Sequence, residues 1–114
     1  MITRAALALP MVMAFATAAS AAMEVVSHRY QCERGVEIPA TYVTDAAEAI
    51  VVLHVEGRQI TLYQEPAASG SRYGWPSGGS NYVWLTKGDS ATLSWRNGSD
   101  NTKTPLVRHC RVLS

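Results

Sequence analysis

Residues 81–95 read NYVWLTKGDSATLSW. Tyr82, Trp84 and Thr86 alternate with Val83 and Leu85; after the break, Ala91, Leu93 and Trp95 alternate with polar residues. A period of two sends successive side chains to opposite faces, the mark of a half-buried strand. Between the two runs stands Lys87-Gly88-Asp89, which is turn chemistry. The stretch therefore predicts an antiparallel hairpin.

The same punctuation recurs on both sides. Upstream, residues 27–33 place His28, Tyr30 and Cys32 on one face, and residues 38–44 follow after Gly35. Residues 49–55 and 58–64 are separated only by Glu56-Gly57, a two-residue hairpin signal, and Pro66 stops the second of them. Residues 67–80 are polar and rich in Gly, Pro and Ser, with Tyr73 and Trp75 among them, and are expected to be a loop. Downstream, residues 96–104 read as loop. Residues 106–113 read as a last strand, Leu106, Arg108, Cys110 and Val112 opposing Val107, His109, Arg111 and Leu113. Seven or eight short strands with regular turn signals predict an all-β fold, a small antiparallel sandwich or a closed barrel. Closure removes the exposed edges that an open sheet would carry.

The chain has 114 residues and a formal charge of +1. That length suits one domain and excludes a TIM barrel, which needs about 250 residues. The near-zero charge argues against a nucleic-acid partner, which calls for a basic patch. Residues 1–22 read MITRAALALPMVMAFATAASAA: Arg4, an apolar run, then small residues at Ala19 and Ala21. That order is expected of a signal peptide over residues 1–21, followed by one domain over residues 22–114. Without Arg4 the mature chain is formally neutral. No Leu-x-x-Cys stands at the boundary, so no membrane anchor is expected after cleavage, and the mature protein is expected to be soluble and periplasmic. In an oxidising compartment Cys32 and Cys110 read as one disulfide, worth on the order of 4 kcal/mol by loop entropy. Two thiols with scattered histidines lack metal-ligand spacing, so no metal site and no cofactor are expected.

The search for catalytic chemistry returns negatives. There is no nucleophile elbow, phosphate loop or His-Glu-x-x-His, and no pair of acids stands out as a glycosidase would require. His28, His54 and His109 all fall in strand-like segments. What stands out is a pair of polar positions beside turn glycines: Ser69-Gly70 and Lys87-Gly88. Glycine lets backbone approach a partner closely. The pair reads as a binding edge with a hydroxyl at Ser69, an ammonium at Lys87 and aromatic support from Tyr73, Tyr82 and Trp84. The same residues also fit an ordinary solvated hairpin turn.

Ser69-Gly70-Ser71-Arg72-Tyr73, followed by Tyr82 and then Thr86-Lys87-Gly88-Asp89-Ser90-Ala91-Thr92-Leu93, resembles the bacterial inhibitors of c-type lysozyme, the membrane-bound and periplasmic forms called MliC and PliC. Tyr30-x-Cys32 and Cys110 fit that family's terminal disulfide. Leu85 departs from it, where an aromatic commonly precedes Thr-Lys-Gly, and the lipobox cysteine is absent, which favours the soluble form. The resemblance implies an eight-stranded barrel whose loops 69–73 and 82–89 enter the lysozyme cleft. It implies Ser69 and Lys87 as the key contacts, with Gly70, Arg72, Tyr73, Tyr82, Thr86 and Gly88 around them. Lysozyme cleaves with two carboxyl groups. An inserted ammonium pairs with an ionised carboxylate, and a hydroxyl bonds the other. The partner is then a c-type lysozyme, and the chain acts by occlusion without being an enzyme. Tyr73 and Tyr82 are expected to brace the loops, by packing on each other or through their hydroxyls. Arg72 either reaches the enzyme or stays solvated.

Two other readings are carried forward. A barrel binding a small ligand or a peptidoglycan fragment would use a Trp75, Tyr73 and Trp84 cluster to stack on sugars. A small hydrolase would need a histidine within reach of Ser69. The sequence leaves room for a homodimer.

Overall fold

Eight antiparallel strands form a closed up-and-down barrel in the computed structural model, which describes residues 10–13 and 22–113. The expected signal segment falls mostly outside them. The strands are β1 Glu24–Gln31, β2 Glu37–Thr44, β3 Ala49–Val55, β4 Arg58–Glu65, β5 Ser71–Gly74, β6 Asn81–Lys87, β7 Ser90–Arg96 and β8 Lys103–Val112. Each pairs with its sequence neighbours, and β1 pairs with β8. The predicted hairpins form where turn residues allow. Glu56 and Gly57 both have positive φ (51° and 74°), as a type I′ turn requires. Gly88, at φ 59°, takes the first central position between Lys87 and Ser90, the II′ pattern.

Three sequence expectations need correction. Residues 71–74 form β5 and are not loop. Four residues are too few to show a period, and the glycines around them mask the strand. β1 and β8 begin three residues earlier than read. The strict alternation expected of β8 also fails, because Val107 and Cys110 are both buried. Ala91↔Cys110 and Leu93↔Val107 show why: three residues of β8 span two of β7. This bulge, with His109 at φ 56°, resets the parity of the strand.

The closing seam is short. β1 meets β8 through only Tyr30↔Val112 and Gln31↔Arg111. The Cys32–Cys110 disulfide sits next to that pairing and links positions 78 residues apart. The one covalent cross-link thus lies where the ladder is thinnest, and it holds that seam whatever the few hydrogen bonds do.

Inside, Ile38, Val51, Leu53, Leu62, Trp84 and Leu93 are fully buried. Each aliphatic side chain of this set contributes roughly 2 kcal/mol by leaving water. The indole of Trp84 donates to the Tyr42 hydroxyl at 2.9 Å, and the Tyr42 and Tyr30 hydroxyls lie 2.7 Å apart. The buried polar tips therefore satisfy one another, as an apolar interior demands. Burial raises the hydroxyl pKa of Tyr42, Tyr30 and Tyr73, so all three stay neutral donors.

Candidate functional site

An up-and-down barrel places alternate turns at the same end. The segment joining β4 to β5, residues 66–70, and the turn joining β6 to β7 therefore emerge together. Ser69, Gly70, Lys87 and Gly88 are all exposed there. β5 and β6 are adjacent, with Ser71 opposite Thr86.

Gly70 locks the two segments in contact. Its φ is +67°, and a Cβ there would collide with the Thr86 carbonyl oxygen and lie 3.4 Å from the Lys87 Cβ. Only glycine fits a position that is both left-handed and this close to a neighbouring backbone. Thr86 adds a bond from its Oγ1 to the Ser71 carbonyl at 3.4 Å. The Ser69-Gly70 and Lys87-Gly88 segments that sequence reading singled out thus share one surface. Neither the Ser69 hydroxyl nor the Lys87 ammonium is held in a hydrogen bond or ion pair by another described residue. The arrangement presents one hydroxyl and one cation on stiff backbone, free for a partner.

The other residues singled out lie apart from this tip. Tyr73 is buried and packs on Tyr42, ring centroids 5.7 Å apart. Tyr82 packs edge-on against Trp95 at 5.1 Å. They do not pack on each other, because Tyr73 and Tyr82 lie at different levels of the barrel, Tyr73 opposite Trp84 and Tyr82 opposite Trp95. Trp84 is fully buried and takes no part in an exposed edge. The expected sugar-stacking cluster is absent for the same reason. Alternation turns Tyr73 and Trp84 inward, while Trp75 stands exposed outside, edge-on to Tyr63. No histidine hydrogen-bonds Ser69 among the described residues; His28 lies inside, beside Tyr30 and Tyr42.

Arg72 points to the outer face and has intramolecular partners. Its Nε donates to Glu65 Oε1 at 2.7 Å, and its NH2 donates to the Pro66 carbonyl. Arg96 reaches the same carboxylate from β7, with NH1 donating to Oε2 at 3.3 Å and NH2 to Oε1. Hydrogen bonding from Arg96 holds the Glu65 pKa below the usual carboxylate range, with Arg72 adding to it against some desolvation. The Glu65 side chain lies over Gly74, where a Cβ would sit 2.7 Å from Oε2. Because β5 and β6 lie between β4 and β7, the Glu65–Arg96 bridge crosses both. Val83, which faces away from the interior, is nevertheless only 2% exposed on one of the crossed strands. Sequence reading missed this strap. The available signal was Glu65 and Arg72 closing either end of one loop, with a glycine two residues beyond.

A cavity of about 270 Å³ opens at the opposite end of the barrel. Val36, Val55, Leu93 and Val107 wall it, with Arg34 and Glu56 at the rim.

The sequence pattern of one family, MliC, described as membrane-bound lysozyme-inhibitor of c-type lysozyme, matches residues 30–102. Among solved structures the chain is similar to Pseudomonas aeruginosa MliC in complex with hen egg white lysozyme. The two are 23% identical, with 99% of each chain covered and a TM-score of 0.63. It is also similar to PliC-St, the periplasmic lysozyme inhibitor of C-type lysozyme from Salmonella typhimurium. That pair is 25% identical, covering 80% of this chain and 100% of the other, with a TM-score of 0.64. A comparison with curated protein sequences found no match.

Proposed function

This chain belongs to the MliC family of inhibitors of c-type lysozyme, and we propose that it blocks such a lysozyme by seating loops 69–73 and 82–89 in the substrate cleft. The observation that supports the proposal is the contact of Gly70 with Thr86, which brings the backbone next to Ser69 against the backbone next to Lys87 on one exposed rim. Lys87 pairs with an ionised catalytic carboxylate in a cleft drier than bulk water, where a charge-assisted bond is strong. Ser69 bonds the second carboxyl, donating to it or accepting its proton. Both groups occupy positions that sugar and water need, and no bond of the inhibitor is cleaved. Gly70, Thr86 and Gly88 shape the backbone of the inserted rim, Tyr73 supports it from within the barrel and Arg72 acts at its base, while Tyr82 lines the cavity at the opposite end and stands away from the rim.

The segment 1–21 directs export, and residues 22–114 work as a soluble protein in the periplasm. That mature chain is formally neutral, so association depends more on the inserted loops than on long-range attraction.

The test mixes purified residues 22–114 with a c-type lysozyme and follows lysis of cell walls. Inhibition is expected at near-equimolar amounts; undiminished lysis at excess inhibitor would refute the proposal. A second reading, a barrel that holds a small ligand or peptidoglycan fragment, draws on the cavity beside Val55. Retention of muropeptides without lysozyme in a pull-down would favour it.

A further inference from the structure

Ser69 sits on a five-residue connection, 66–70, whose two flanks are tied down by different means. Towards β5 the tie is steric, Gly70 against the Thr86 carbonyl. Towards β4 it is electrostatic. Glu65 and Arg72 face each other in register across the base of the loop, and Arg72 also donates into it, to the Pro66 carbonyl. Arg96 then binds the same carboxylate from β7, three strands from β4. All three side chains are mostly shielded, at 16% exposure for Arg96, 21% for Glu65 and 29% for Arg72.

We propose that Glu65, held by Arg72 and Arg96, is a positioning residue that fixes the Ser69 loop relative to Lys87 before any partner arrives. The inference rests on the lysozyme reading, since it assigns Ser69 a target. Its physical content is preorganisation. A loop already frozen in its bound shape does not lose that freedom on association, and the saving appears as affinity. Two cations on one carboxylate make the anchor firm, because neither guanidinium alone decides where the carboxylate lies. Gly74 is part of the device, since any side chain there would displace the Glu65 carboxylate that lies across it. Arg72 therefore acts on lysozyme through the loop and not by contact.

The experiment compares wild type with Glu65→Gln, alone and combined with Ser69→Ala or Lys87→Ala. Inhibition of a c-type lysozyme and backbone order at Ser69 and Gly70 by NMR relaxation are both measured. Glu65→Gln is expected to weaken inhibition about tenfold and to lower the Ser69 and Gly70 order parameters from about 0.85 towards 0.6, with the Gly88 turn unchanged. Added to Ser69→Ala it should cost little more, because the loop then has no hydroxyl to place; added to Lys87→Ala the losses should multiply. Arg96→Lys keeps the charge but loses the fork, so it should give a milder form of the same pattern, and it carries the test if Glu65→Gln does not fold. Unchanged order at Ser69 and Gly70, or losses that multiply with Ser69→Ala, would overturn the proposal. If wild type inhibits no lysozyme, the lysozyme reading fails, while the relaxation data still decide whether Glu65 orders the loop.

Discussion

The two ends of the barrel are built on opposite plans. One end carries 66–70 and the Gly88 turn, with its polar tips exposed and its backbone jammed together at Gly70 and Thr86. The other is hollow, with a cavity walled by Val36, Val55, Leu93 and Val107. Cavities are the usual default for a binding site, and here that default points away from Ser69 and Lys87, although Tyr82 lines the cavity. The conflict resolves once the task is considered. On the proposed loop-insertion reading the chain plugs another protein's cleft and has to be the convex partner, so that reading puts the working end where the barrel protrudes. The hollow end belongs to the rival reading, in which the barrel is itself the receptor.

The largest expected effect breaks the comparison directly. Lys87→Ala removes the exposed ammonium of the β6–β7 turn and, on the proposed reading, leaves a lysozyme carboxylate unpaired. Inhibition should weaken by about 3 kcal/mol, on the order of a hundredfold, with unfolding unchanged. Inhibition equal to wild type would show that the working end has been misassigned. The counterpart lies at the hollow end. Val55→Ala should lower the unfolding free energy by about 2 kcal/mol, through lost burial and an enlarged cavity, and leave inhibition as it was. If it instead impairs inhibition in a folded protein, the two ends are not independent. Ser69→Ala removes one neutral hydrogen bond and should cost about 1 kcal/mol, roughly fivefold in the inhibition constant.

How much of this was readable beforehand follows from the range of each signal. Strand periodicity is local, so β3, β6, β7 and the Glu56-Gly57 turn were visible in residues 49–57 and 81–95. β5 was not, because four residues between glycines carry no period. The bulge in β8 was hidden as well. It depends on how three residues there meet two of β7, and the sequence of β8 alone implies a clean alternation. Ser69 and Lys87 were legible as polar residues beside turn glycines. The reason Gly70 must be glycine was not, since it lies in the Thr86 carbonyl of another strand. Likewise Arg72 read as a surface cation with two outlets, reaching the enzyme or staying solvated. Its actual partner, Glu65, became evident only when β4 and β5 were set in register.

The smallest expected effect is on pH, and it tests whether the protruding end depends on its strap. The Arg96 and Arg72 bonds lower the pKa of Glu65 in the fold relative to the unfolded chain, where the ordinary value is about 4.5. The unfolded chain therefore binds the proton more readily. Stability from this carboxylate is fully present above the ordinary glutamate pKa and is lost as pH falls through the lower folded value. At neutral pH Glu65→Gln should melt below wild type, and the gap should narrow as pH drops below about 4.5. Val55→Ala offers the control at the hollow end: its deficit comes from lost packing with no titrating group, so it should stay constant over the same interval. A Glu65→Gln deficit that is equally constant would mean that the carboxylate's charge contributes nothing, and that the protruding end is held by Gly70 and its backbone contact alone.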